Sequence, residues 1–267
     1  MLIATMVCCA LSLGWAEDSD AEVVNSGTCG PNLTWEFGDI GDLTIDGTGP
    51  MDFSGSSGEP PWKDCMGWIT TVIIKEGVTS IEDNAFIGAT SIFEVINLSD
   101  LDIRAGSEAN GYVAYYANNV FQSEDDATVE VLDDVFIYGY SEGYAFLIKY
   151  IGSSDIVDLP YNLESGSYVI CSYFYTSEDL TSLSVPNDIL YVQEGAFGDL
   201  EFYDEDGETK LDVTADNLKG STFNNEDGKL IKQQREDSPG HREMSPVVAY
   251  IAGLLSVGLI IYVIRRN

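Results

Sequence analysis

The sequence predicts a mainly β protein. The expected architecture is a short, irregular solenoid of stacked coils with an N-terminal β-hairpin cap and a β-rich insertion, plus one C-terminal transmembrane helix. Three observations predict it. The chain is rich in glycine (26), tyrosine (15) and phenylalanine (11) and has no long Ala/Leu/Glu/Lys runs, which favours strands and turns over helices. The stretch ITTVIIKEGVTSIEDNAFIGATSIF, residues 69–93, fits neither a period of 2 nor a period of 3.6. It reads as one coil: a β-branched strand with Val72 and Ile74, a Lys75–Gly77 corner, a second apolar ridge at Val78 and Ile81, then Ala85-Phe86 and a turn back. Such a coil cannot bury its apolar face alone, so it should recur. It does, at Leu183 and Val185, then Ile189 and Val192, then Ala196-Phe197; Val185 to Val192 is seven residues, as is Ile74 to Ile81. A weaker copy carries Val169 and Phe174, and Phe174 to Phe197 is 23 residues, a repeat-sized step.

The elements follow in order. Residues 1–16 are apolar and end Gly14-Trp15-Ala16, a small-x-small cleavage pattern, so a signal peptide is predicted, although no Lys or Arg precedes the apolar run. Residues 17–28 form an acidic leader. Residues 29–111 are assigned to the cap and the first coils. In the cap Leu33, Trp35 and Phe37 alternate, a Gly38–Gly41 turn follows, and Leu43 and Ile45 alternate again. A cap of this kind covers the apolar end of a repeat stack. Residues 112–152 depart from the repeat and read as a β-rich insertion. Residues 153–200 resume it, and residues 201–232 read as a terminal hairpin region.

Residues 233–246 are a polar linker. Residues 247–264, from Val247 to Ile264, carry no charge and would make roughly 27 Å of helix, near the thickness of a bilayer core. Arg265 and Arg266 follow in a three-residue tail, residues 265–267, and by the positive-inside rule keep that end cytoplasmic. The expected topology is a single pass in the cell membrane, N-terminal domain outside, with the bilayer as one partner.

The run Gly77–Phe86, G-V-T-S-I-E-D-N-A-F, resembles the BspA-type leucine-rich repeat of cell-surface proteins. The segment before it is similar to that family's N-terminal region: Cys29-Gly-Pro-Asn-Leu33-Thr-Trp35, Gly41–Met51 and Pro61-Trp62. The resemblance is close over residues 29–93, moderate over 153–200, and covers under half the chain. It implies a leucine-rich-repeat-like solenoid that binds surface, matrix or host macromolecules.

Composition narrows the function. The net charge is −33, which speaks against nucleic-acid binding, because that needs basic surface to displace counterions. The one histidine, His241, lies in the linker, so the folded domain can hold neither a Ser-His-Asp arrangement nor a histidine zinc site. Carboxylate pairs are the remaining catalytic candidates, and no set of them meets the geometry in named roles. No enzyme activity and no cofactor are expected.

The turn Asp204–Glu208 has a partial calcium-loop pattern but reads better as a hairpin turn. Three cysteines remain beyond the signal peptide. Cys29 and Cys65 are a disulfide candidate, with the alternative that all three, including Cys171, are small buried apolar residues. Asn32 and Asn97 head N-x-S/T sequons and are glycosylation candidates.

The tyrosines Tyr112, Tyr115, Tyr116, Tyr138, Tyr140, Tyr144 and Tyr150 could stack on sugars, against the plainer reading of cross-strand packing. The function expected is a non-catalytic surface module for adhesion, its partner an extracellular protein or glycan. The alternatives are a carbohydrate-binding module and a structural envelope component.

Overall fold

The computed structural model describes residues 23–53, 58–161, 163 and 166–233. The predicted signal peptide, the first half of the leader, the linker beyond residue 233, the segment 247–264 and Arg265-Arg266 lie outside those residues. Among the described residues no helix is long and apolar enough to cross a membrane.

The chain is a β-solenoid built as two units of the same plan. Each begins with an antiparallel hairpin, and the hairpin's last strand starts a parallel ladder. In the first unit Val23–Gly30 pairs antiparallel with Leu33–Gly38, and that strand with Asp42–Gly47. The ladder then runs parallel through Thr71–Ile74, Glu94–Asn97 and Asn119–Phe121. Leu43, Val72, Val95 and Val120 stand in one row, and Ile45 and Ile74 in the next. Val72 to Val95 is 23 residues, the step of one coil.

The second unit repeats this. Glu130–Leu132 pairs with Phe136–Ser141 and that strand with Tyr144–Tyr150, all antiparallel. Tyr168–Ile170 and Ile189–Val192 continue in parallel, with Leu147, Ile170 and Val192 in one row. A second sheet begins with Ile156–Asp158 parallel to Ser182–Ser184. The hairpin Thr222–Glu226 with Lys229–Lys232 extends it by antiparallel pairing to Ser182–Ser184, and Phe202–Tyr203 with Lys210–Leu211 completes it beside Lys229–Lys232.

The stretch read from sequence as an insertion therefore divides. Asn119–Phe121 is the last rung of the first ladder, while residues 130–150 are the opening hairpin of the second unit. Alternating side chains identify a strand, but they do not say whether its neighbour on each side runs parallel or antiparallel. The terminal hairpin region contains two hairpins and one helical turn, Ala215–Leu218, capped by the Thr214 hydroxyl.

Two-residue turns close two hairpins with both residues in left-handed backbone, Glu142-Gly143 and Asp227-Gly228; Asp133-Asp134, left-handed as well, begin a three-residue connection. The two-residue form is the turn whose twist matches paired strands.

Each unit has its own core. The first centres on Trp62, fully buried, whose Nε1 donates to the Ala85 carbonyl at 3.0 Å. Its ring stacks on Phe86 at 5.1 Å and meets Trp35 and Phe53 edge-on. The second carries a chain of rings through Phe174, Phe197, Phe202 and Phe223. Val72, Ile74, Val78, Ile81 and Phe86 are buried in the first core. Phe174, Leu183, Val185, Val192 and Phe197 are buried in the second.

Val169 points the other way, into a small cluster that joins the units: Phe93 with Ile137, Phe146 and Ile148. The Phe93 and Phe146 rings lie 5.2 Å apart. Gly139 makes room for them, since a Cβ there would stand 2.8 Å from the Phe93 ring. Lys149, 2% exposed, crosses the same junction. Its ammonium donates to the Gly67 carbonyl at 2.6 Å and sits 4.4 Å from the centre of the Trp68 ring. Burial pulls it down to about 8 from the usual 10.5.

Candidate functional site

The second unit's hairpin and its next coil leave an open cleft of about 430 Å³ between them. One wall is the Leu132-Asp133 corner with Tyr138 and Tyr140 from the strand that follows. The other is the segment from Asp158 through Leu159 and Pro160 to Tyr161, with Leu163 below. Local chemistry holds both walls. On the first, Val135 N–H donates to the Leu132 carbonyl at 3.1 Å and closes the tight turn. The Tyr138 hydroxyl donates to Glu130 across the hairpin, and the Tyr138 and Tyr140 rings meet edge-on at 5.7 Å. On the second, Leu159 N–H donates to the Ser184 carbonyl at 2.9 Å, and the buried Tyr168 hydroxyl donates to the Pro160 carbonyl at 2.9 Å.

The cleft is aromatic and acidic. Tyr161 is 65% exposed, more than any other large apolar side chain among the described residues. Asp133 and Asp158 are exposed at the rim. The lining offers phenol faces and two carboxylates, with no histidine, lysine or thiol. It can therefore stack, accept hydrogen bonds and attract cations. It has no nucleophile–base pair of the kind covalent catalysis requires.

The tyrosines singled out in sequence separate into different settings. Tyr138 and Tyr140 reach the cleft. Tyr112, Tyr115 and Tyr116 form an edge-to-face cluster in the first unit, with Glu108 beside Tyr112 raising its phenol. Tyr144 packs on the junction, and Tyr150 packs on Phe136, Phe174 and Tyr175. Tyr161 escaped the sequence reading because it falls in the stretch assigned to resumed repeats. The signal available was the Leu-Pro-Tyr sequence at the end of a strand, where an aromatic leaves the sheet.

Cys29 and Cys65 both lie in the first core as free thiols, and Cys171 is also free. Burial pushes the Cys29 thiol up to about 12. The two sequons differ sharply. Asn32 is exposed in the first hairpin turn. Asn97 is 1% exposed: its Nδ2 donates to the Leu101 carbonyl at 2.7 Å, and its Oδ1 accepts from Ser99. In the folded chain the Asn97 amide is an internal corner brace.

At the acidic turn, Asp206 accepts from Glu208 N–H, Thr209 N–H and the Thr209 hydroxyl, bonds that hold its carboxyl below the usual range. Its oxygens serve the turn itself. Among the described residues no group of His, Cys, Asp and Glu is placed to hold a metal ion.

No family model and no curated protein matches this sequence. A solved structure, a leucine-rich repeat protein from Eubacterium ventriosum, is similar at 15% identity over 67% of this chain and 65% of that one, with a TM-score of 0.26. At that score the two do not superpose as wholes. The solenoid described above rests on this chain's own parallel ladders.

Proposed function

We propose that the chain is a non-catalytic binding protein of the cell surface, an acidic repeat ectodomain on a short stalk. Residues 247–264 anchor it, and Arg265 and Arg266 stay on the cytoplasmic side. The observation that carries the reading is the cleft: an exposed aromatic ring and two rim carboxylates set where paired strands end, with no catalytic pair among the lining residues. Stacked coils present such concavities on a scaffold that does not itself need to move. The exposed face of Tyr161 also supports a second reading, a carbohydrate-binding module.

The test displays the chain on cells with tags at both ends. Protease added outside should remove only the N-terminal tag, and the cells should retain matrix proteins saturably. A protected N-terminal tag, or retention no greater than on cells without the chain, would overturn the reading.

A further inference from the structure

We infer that the cleft between the Asp133-Asp134 turn and the Asp158–Tyr161 segment receives a cationic side chain, an arginine above all, from an extended basic segment of a partner polypeptide. This deepens the proposed binding function and rests on it.

Three observations converge. The first is the lining. Tyrosine faces are the negative ends of a ring quadrupole and attract a cation lying over them. Tyr161 offers one such face to solvent on a segment pinned by the Tyr168–Pro160 hydrogen bond. The second is charge. Asp133 and Asp158 come from separate elements to one rim, no lysine or arginine lines the cleft, and neither carboxylate belongs to any ion pair of the described residues. A guanidinium suits this pairing, since it can lie flat on an aromatic ring while its edge bonds a carboxylate. The third is the body around the cleft. A net charge of −33 steers cations inward and repels acidic peptides and anionic glycans.

The full-length chain is titrated with a blocked peptide of alternating arginine and glycine, with the same peptide carrying neutral citrulline, and with an uncharged chitin oligosaccharide. The arginine peptide should bind saturably and the citrulline peptide should not. Tyr161→Ala, which leaves net charge unchanged, should weaken binding by about twofold to thirtyfold. Asp158→Asn should also weaken it, whereas Glu36→Gln should not: it removes the same charge from an exposed strand position of the first unit.

Equal losses in Asp158→Asn and Glu36→Gln with none in Tyr161→Ala would mean diffuse attraction and overturn the site. Equal binding of the citrulline peptide would overturn it too. Oligosaccharide binding that vanishes in Tyr161→Ala would make the cleft a glycan site instead. Undiminished retention of matrix proteins by cells displaying Tyr161→Ala would leave the binding function standing and remove this cleft from it.

Discussion

The Glu94 carboxylate accepts both the backbone N–H of Thr128, at 3.0 Å, and its hydroxyl, at 2.9 Å, across 34 residues of chain. Glu94 is 1% exposed, in the strand Glu94–Asn97 of the first ladder. Thr128 leads into the first strand of the second unit, and Val129 N–H also reaches the carboxylate at 3.4 Å. Asn119 Nδ2 donates to the Tyr140 carbonyl at 2.7 Å beside it. A parallel strand buried on both faces is ordinarily apolar, so a glutamate there needs partners. Here the closest come from the approach to the other unit, with the Thr71 hydroxyl of the same ladder at 3.5 Å.

Glu94→Ala should therefore cost about 1–3 kcal/mol, because it strands two half-buried N–H groups. Glu94→Gln keeps an acceptor and should cost less than half as much. Urea unfolding at constant m-value measures both. Equal, small losses would show that the joint contributes little.

Lys149 gives a pH signature. Its folded value, about 8, lies below the ordinary 10.5, so between those values the unfolded chain holds a proton that the folded chain has released. Stability from this group then rises with pH through that window. Relative to Lys149→Met, the wild-type chain should gain about 1 kcal/mol or more between about pH 8 and pH 10. A pH-independent difference would mean that the Gly67 and Trp68 contacts hold the ammonium charged throughout.

Two glycines separate backbone strain from steric conflict. Gly111 has φ +63, and a Cβ there would stand 2.3 Å from the Glu82 carbonyl oxygen. Gly88 has φ +84 and nothing within 4 Å. Gly88→Ala should cost about 1 kcal/mol, for the left-handed backbone alone. Gly111→Ala should cost at least about 2 kcal/mol more, since the coil backbone must move. Thermal melts of the pair decide it, and similar shifts would refute the steric argument.

Expression in a glycosylating host tests the sequons. Asn32→Gln should remove any mobility shift and Asn97→Gln should leave it, while destabilising the fold by about 1–3 kcal/mol through the stranded Leu101 carbonyl and Ser99 donors. A shift lost in Asn97→Gln would show that the site is modified before the coil closes over it.

Much of the coil architecture was legible, because burial writes itself into apolar spacing. Val72, Ile74, Val78, Ile81 and Phe86 mark a strand, a corner and a ridge without any fold in hand, and all are buried. The first hairpin was legible from the alternation of Leu33, Trp35 and Phe37. What spacing cannot carry is the identity of a neighbour. Tyr144–Tyr150 pairs antiparallel on one side and parallel on the other, so it looked like an interruption when it is a beginning. Glu94 and Lys149 were visible only as charges inside apolar runs, and their partners lie 34 and 82 residues away. The cleft was half legible: Tyr138 and Tyr140 were among the tyrosines picked out, but Tyr161 lines the same cleft only because two different sheets pack on one core.

The junction also fixes where this protein can grow. Within the ladder Val72 faces Val95 and Ile73 faces Ile96, like against like, so another coil between Thr71–Ile74 and Glu94–Asn97 would find the middle of its seat already shaped. Between the units no such freedom exists, because Phe93, Gly139 and Phe146 are matched as individuals rather than as members of a series. Length can vary on either side of that seam, while the seam itself sets the spacing between what the two halves display.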